Sequence, residues 1–181
     1  MHARLARHLL VAFTLIMTES LMAVETQVVP DSYKLVFGKV VAGDVGSLAQ
    51  SDGNVLRLCR FTVPNSNYDP IWFNVEAPVP VSPTNLKCNL VSKSLNFGTY
   101  SQTLFLFDFQ NRLFDPNTAI TSTMAKSNFT MTCSAVGSST KYWSTDHRVR
   151  ALVRAKCIGM SPVFGWQVEY DKAWFAIGSG P

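Results

Sequence analysis

Arg148-Val149-Arg150-Ala151-Leu152-Val153-Arg154-Ala155-Lys156-Cys157 is the stretch that decides the fold. Val149, Ala151, Val153, Ala155 and Cys157 share one phase, and Arg148, Arg150, Arg154 and Lys156 share the other. A period of two with one apolar phase is the pattern of a β-strand that buries one face and wets the other. Upstream, Ile71-Trp72-Phe73-Asn74-Val75-Glu76-Ala77 alternates in the same way, with Ile71, Phe73 and Val75 inward and Trp72, Asn74 and Glu76 outward. Leu86 to Val91 repeats the pattern and puts Cys88 beside Leu86 and Leu90. Further strands are expected over Tyr33–Val41, Val55–Val63 and Thr103–Phe109, at Leu113-Phe114, through Phe129, Met131 and Cys133, and over Gln167–Ile177.

The joints between these runs hold Gly43-Asp44, Ser51-Asp52-Gly53-Asn54, Pro64-Asn65-Ser66-Asn67 and the prolines Pro78, Pro80 and Pro83. Gly and Asn accept positive φ, and proline excludes both helix and central strand. Residues 24–181 show no capped apolar period of 3.6 and no Gly-rich turn between a strand and a helix. About nine strands at near-regular spacing predict an all-β, antiparallel two-sheet sandwich, jelly-roll-like or Ig-like, in a single domain over 24–181. Trp166 and Trp174 share the phase of Val168 and are expected in the core.

Residues 1–23 read as a secretory signal: a basic start with Arg4 and Arg7, a short apolar run from Leu9 to Met17, and a more polar end to Ala23. That run is too short for the ~20 residues a membrane span needs. The expected location is therefore secreted, periplasmic or at the cell surface, with no transmembrane segment after cleavage. Removing Arg4, Arg7 and Glu19 with the segment leaves fourteen cations against eleven anions. That mild excess predicts no nucleic-acid partner. In an exported chain, Cys59, Cys88, Cys133 and Cys157 are candidates for two disulfides in any of three pairings.

Several stretches together resemble a bacterial exported domain of unknown function. They are, in order, Val41-Ala42-Gly43-Asp44-Val45-Gly46-Ser47-Leu48, Ser51-Asp52-Gly53-Asn54, Leu106-Phe107-Asp108-Phe109, Val149-Arg150-Ala151-Leu152-Val153 and Val168-Glu169-Tyr170-Asp171-Lys172-Ala173-Trp174. The resemblance spans nearly all of 24–181 and implies a β-sandwich of surface or secreted proteins, with no activity to carry over. The four cysteines depart from that pattern.

The residues place catalysis behind binding. His147 is the one histidine after the signal, beside Asp146, and no G-x-S-x-G elbow accompanies it. A hydrolase using His147 as base is the remote alternative to a turn residue. No Cys and His cluster suits zinc or iron. Calcium is the one cofactor with candidate ligands, Asp44, Asp52 and Asn54, although such residues also form plain turns. The leading expectation is a non-catalytic exported protein with a structural, adhesion or interaction role. The alternative is a carbohydrate-binding module, with calcium as an optional steadying ion, that uses Trp72, Asn74, Glu76, Tyr142 and Trp143. The partners these readings imply are an envelope polysaccharide or a surface protein.

Overall fold

The structure, a computed structural model, describes residues 24–60, 70–96, 98–158 and 165–179. The signal segment 1–23 and the end of the second expected strand, 61–63, lie outside the described residues. Twelve strands form among the described residues: β1 (Val24–Val28), β2 (Ser32–Phe37), β3 (Lys39–Ala42), β4 (Leu56–Arg60), β5 (Ile71–Pro78), β6 (Asn85–Ser94), β7 (Tyr100–Asp108), β8 (Leu113–Phe114), β9 (Ile120–Thr123), β10 (Phe129–Ser134), β11 (Arg148–Cys157) and β12 (Trp166–Ser179). They build two six-stranded sheets. The first runs β10-β6-β12-β4-β3, with β1 also on β12; the second runs β2-β5-β11-β7-β8, with β9 also on β7. Every pairing is antiparallel. From β4 to β7, and again from β10 to β12, each connection crosses to the opposite sheet, which is a jelly-roll order. No helix among the described residues is long and apolar enough to cross a membrane.

The sequence alternation becomes the core directly. Ile71, Phe73, Val75 and Ala77 of β5 and Val149, Ala151, Val153 and Ala155 of β11 meet Leu86, Leu90, Val168 and Phe175 of the facing sheet, all fully buried. Burying each of the larger aliphatic and aromatic side chains contributes about 1.5–3 kcal/mol.

Three expectations change. Tyr33–Val41 is two strands, because the chain leaves the second sheet at Gly38 and enters the first as β3. Gly38 holds φ +116°, and a Cβ there would stand 3.1 Å from the Cys59 carbonyl oxygen. The register also slips by one residue at Val36 and again at Val41, so Phe37 pairs with outward Trp72, and both Phe37 and Val41 end exposed rather than in the phase of Tyr33 and Leu35.

Trp174 also leaves the core. The register passes from Tyr170↔Ser92 to Lys172↔Val91, so Asp171 is an extra residue on β12. A bulge of this kind reverses which side chains face inward. Trp166, Val168 and Tyr170 point inward before it; Ala173, Phe175 and Ile177 do so after it, and Trp174 faces out.

The third change concerns the cysteines, which no disulfide joins. Cys59 follows Leu58 on β4 and so faces away from the core that holds Cys157. Cys88 and Cys133 stand opposite each other on β6 and β10. Their mutual hydrogen bond, and then burial, push the Cys88 thiol well above its ordinary value.

Candidate functional site

The outward phases of β5, β11 and β7 lie side by side on one face of the second sheet. Pairing puts Trp72 against Arg154, Asn74 against Leu152, and Glu76 against Arg150. On the far side, Arg154 faces Thr103 and Leu152 faces Phe105. At one end of this face the floor falls between two raised segments and leaves a cleft of about 560 Å³. Glu76, Phe107, Arg148 and Arg150 form its floor, the hairpin Phe109–Arg112 one wall, and the loop Trp143–Asp146 the other.

The floor is pre-ordered. Arg150 Nε donates to Glu76 Oε1 at 2.7 Å and Arg148 Nε to Glu76 Oε2 at 3.3 Å, so both carboxylate oxygens are held. Arg148 also ion-pairs with Asp31 and donates to Ser32 Oγ at 3.0 Å. The Arg148 hydrogen bond holds the Asp31 carboxyl below its usual value, although partial burial works the other way. The Arg150 guanidinium lies over Phe107, 4.8 Å from the ring centroid, and 5.5 Å from that of Phe109. Phe107 packs edge-on against Phe109 and Phe114, each at 4.9 Å. Each guanidinium of this array thus meets at least two partners, Arg148 through Glu76 and Asp31, Arg150 through Glu76 and Phe107.

The walls are pinned as well. Asp108 accepts from Asn111 N and Nδ2 at 2.9 and 2.8 Å, which closes the hairpin. Burial raises the Asp108 carboxyl, but these bonds and the Lys141 charge outweigh it and leave it below the usual range. Arg112 follows at φ 56°, exposed at the rim, and among the described residues no ion pair reaches it. Across the cleft, Ser144 Oγ accepts from Arg148 N at 3.0 Å, and Ser144 N donates to the Arg148 carbonyl at 2.9 Å. Trp143 Nε1 donates to the Val79 carbonyl at 2.8 Å, which fixes the indole while its ring lines the cleft.

Behind this loop lies a buried polar knot. Asp115 Oδ2 accepts from Lys141 Nζ at 2.8 Å and from the Tyr142 hydroxyl at 2.7 Å. Its Oδ1 accepts from Asn117 N and Nδ2 at 2.9 and 3.0 Å. The Lys141 bond, opposed by burial and aided by Tyr142 and Asn117, drives the Asp115 carboxyl far below its ordinary value. The same pair raises Lys141. Burial and then the carboxylate raise Tyr142. Phe109 N bonds to the Lys141 carbonyl at 2.7 Å, which ties the two walls together.

The expected ligand-binding residues therefore separate. Glu76 and Trp143 come together in the cleft. Trp72 and Asn74 share its face further along β5, where Arg154 covers Trp72 at 4.9 Å and Phe37 packs edge-on at 5.3 Å. Tyr142 is fully buried and belongs to the core, because its hydroxyl is needed by Asp115. Arg112, Phe107, Phe109 and Asp146 were missed as site residues. The hairpin reading around Asn111-Arg112 was the available signal for the first three, and Asp146 stood out in the sequence only as the neighbour of His147.

Asp44 and Asp52 serve their own turns. Asp44 Oδ1 accepts from Ser47 N at 3.3 Å, and Asp52 accepts from Asn54 N and Nδ2 at 2.9 and 3.0 Å. The Asn54 backbone bond, then its side chain, lowers the Asp52 carboxyl. Among the described residues no three His, Cys, Asp or Glu groups converge on a common centre. His147 sits at φ 58° in a turn, with its N bonded to the Ser144 carbonyl at 3.0 Å. Its ring meets the edge of Trp143 at 4.8 Å.

No protein-family profile and no curated protein matches the chain. Among solved structures it is similar to the K1 adhesin domain of the Lys-gingipain of Porphyromonas gingivalis: 8% identity, 87% of this chain and 99% of that one, TM-score 0.50. It is also similar to a family 61 carbohydrate-binding module solved with β-1,4-galactotriose, at 9% identity, 81% and 89% coverage and a TM-score of 0.45. A family 4 carbohydrate-binding module gives 10% identity, 83% and 89% coverage and 0.46. At these identities the likeness to the adhesin domain extends to the β-sandwich fold alone.

Proposed function

We propose that the protein is a non-catalytic binding domain whose cleft over β5, β11 and β7 takes a saccharide chain. One observation carries the reading. Trp143, Phe107 and Phe109 line the same cleft as a carboxylate–arginine lattice and two charges, Arg112 and Asp146, that no ion pair reaches among the described residues. A sugar ring presents an apolar C–H face and a rim of hydroxyls, each of which donates and accepts. Aromatic faces meet the first, and carboxylates and guanidinium groups meet the second. The cleft volume falls in the ordinary range for small-ligand sites.

The same lattice argues against glycoside hydrolysis. That reaction needs a pair of carboxyl groups, one able to hand its proton to the leaving oxygen; both oxygens of Glu76 are engaged by arginines, which leaves Asp146 as the one unpaired carboxylate among the described residues that line the cleft. A role outside the cytoplasm, on an envelope polysaccharide or a glycosylated surface, is supported by the basic-then-apolar order of residues 1–23.

The test is native affinity electrophoresis through gels cast with soluble polysaccharides, comparing the unaltered protein with Trp143→Ala and Arg112→Ala. At least one polysaccharide should retard the unaltered protein, and each variant should weaken that binding about tenfold or more, equivalent to about 1.4 kcal/mol. Retardation equal in all three proteins would reject the cleft as the site.

A further inference from the structure

The bulge in β12 has a consequence on the opposite face of the molecule. By inserting Asp171 it turns Trp174 out of the core and sets it opposite Asn89 on the outer face of the first sheet. Held in phase, the indole would have been buried with Tyr170 and Val168; turned outward, it remains half-buried, with Lys172 Nζ 4.9 Å from its ring centroid. Beside it runs a shallow groove of about 400 Å³, lined by Gln27, Lys87, Asn89, Thr132 and Trp174 among others. Thr132 Oγ1 donates to Asn89 Oδ1 at 2.7 Å, fixing the amide. Lys87 Nζ pairs with Glu25 Oε1 at 3.1 Å, so the charges that line the groove cancel.

An indole set among hydroxyl, amide and ion-paired groups, with the Lys172 ammonium as an added donor beside its ring, suits a hydroxyl-rich ligand that brings no positive charge. We propose that this groove is a second glycan site, for a neutral polysaccharide chain, and that the domain bridges two chains from opposite faces of the sandwich. The groove is independent of the cleft. Its floor comes from β1, β6, β10 and β12, and it shares no residue with the first site. Two sites on one rigid body bind a polymer with an avidity far above either site alone, by a factor of about 10²–10⁴.

The experiment uses soluble neutral polysaccharides (a β-glucan, a galactan, a xylan and a mannan) in affinity gels and in light scattering. The proteins are the unaltered chain, Trp143→Ala for the cleft, Trp174→Ala for the groove, and Ser134→Trp. The last fills the groove from an exposed position of β10 and leaves the Trp174 packing in place, which covers the case of a misfolded alanine variant. The unaltered protein should raise the scattering of one polysaccharide by crosslinking it. Each single-site variant should abolish that rise while keeping gel retardation through the other site, with about a hundredfold loss of apparent affinity on the insoluble form. If Trp174→Ala and Ser134→Trp both scatter and migrate as the unaltered protein does, the groove is refuted and the cleft stands. If Trp143→Ala changes nothing while the groove variants abolish retardation, the cleft reading fails and the groove stands. No retardation of the unaltered protein in any of the four neutral gels refutes the groove as a neutral-glycan site, and the same gels cast with an acidic polysaccharide then decide the cleft.

Discussion

Replacing Tyr142 by phenylalanine removes one oxygen from the knot that holds the loop wall of the cleft. The hydroxyl donates to the Asp115 carboxylate at 2.7 Å and accepts from Val136 N at 3.3 Å, inside a fully buried site. A hydrogen bond to a charged partner contributes about 1.5–3 kcal/mol net. Asp115 keeps Lys141 and Asn117, so it is not left unpaired, and the ring volume is unchanged. The expected cost is therefore about 2 kcal/mol, which lowers Tm by roughly 4–8 °C in a domain of this size. Urea denaturation should give the same figure as a lower midpoint with an unchanged slope. Because Trp143 follows Tyr142 directly, the variant should also bind polysaccharide more weakly than its residual stability would imply. A stability change under about 0.5 kcal/mol would refute the claim that this knot anchors the wall.

Asp115→Asn should reshape the acid limb of stability. A carboxyl held below its unfolded value of about 4 stabilises the fold above that pH and loses its contribution as pH falls through the folded value. The unaltered protein should thus lose stability in melts taken below about pH 4, and Asp115→Asn should lose less over that range while being weaker at pH 7. Phe175→Ala empties a fully buried position between the sheets and should cost about 3–5 kcal/mol in urea denaturation. Gly43→Ala places a Cβ 2.2 Å from the Val55 carbonyl oxygen at φ +78°. The loop must move, and a melt should fall by several degrees, whereas Gly53→Ala, with open space around it, should fall by less.

The parts of the fold that were legible in the sequence are those where one rule holds for a whole strand. In β5 and, apart from the apolar Leu152 on the outward phase, in β11 the side chains alternate apolar-in and polar-out, so the inward and outward sets, including Trp72, Asn74 and Glu76, could be read residue by residue. The reading failed where the backbone breaks the period. At Gly38 the chain changes sheets, and at Asp171 an extra residue inverts the phase, so Trp174 was assigned to the wrong face. Ile120–Thr123 carries one large apolar residue and gave no strand signal, yet it pairs with β7 at the sheet edge. The cleft was half legible. Glu76 and Trp143 carry their chemistry in their side chains, but Arg112 and Phe109 become site residues only when the Lys141 carbonyl draws the hairpin against the loop. Strand alternation cannot foresee that contact between segments about thirty residues apart.

The most direct test of the account is a thermal-melt series on the unaltered protein and on Trp143→Ala against a panel of neutral and acidic oligosaccharides. A specific ligand at a hundred times its Kd adds about 2.7 kcal/mol, a rise of roughly 5–10 °C here. The account predicts such a rise with at least one oligosaccharide, reduced or lost in Trp143→Ala. A panel that leaves the melting of both proteins unchanged would contradict it.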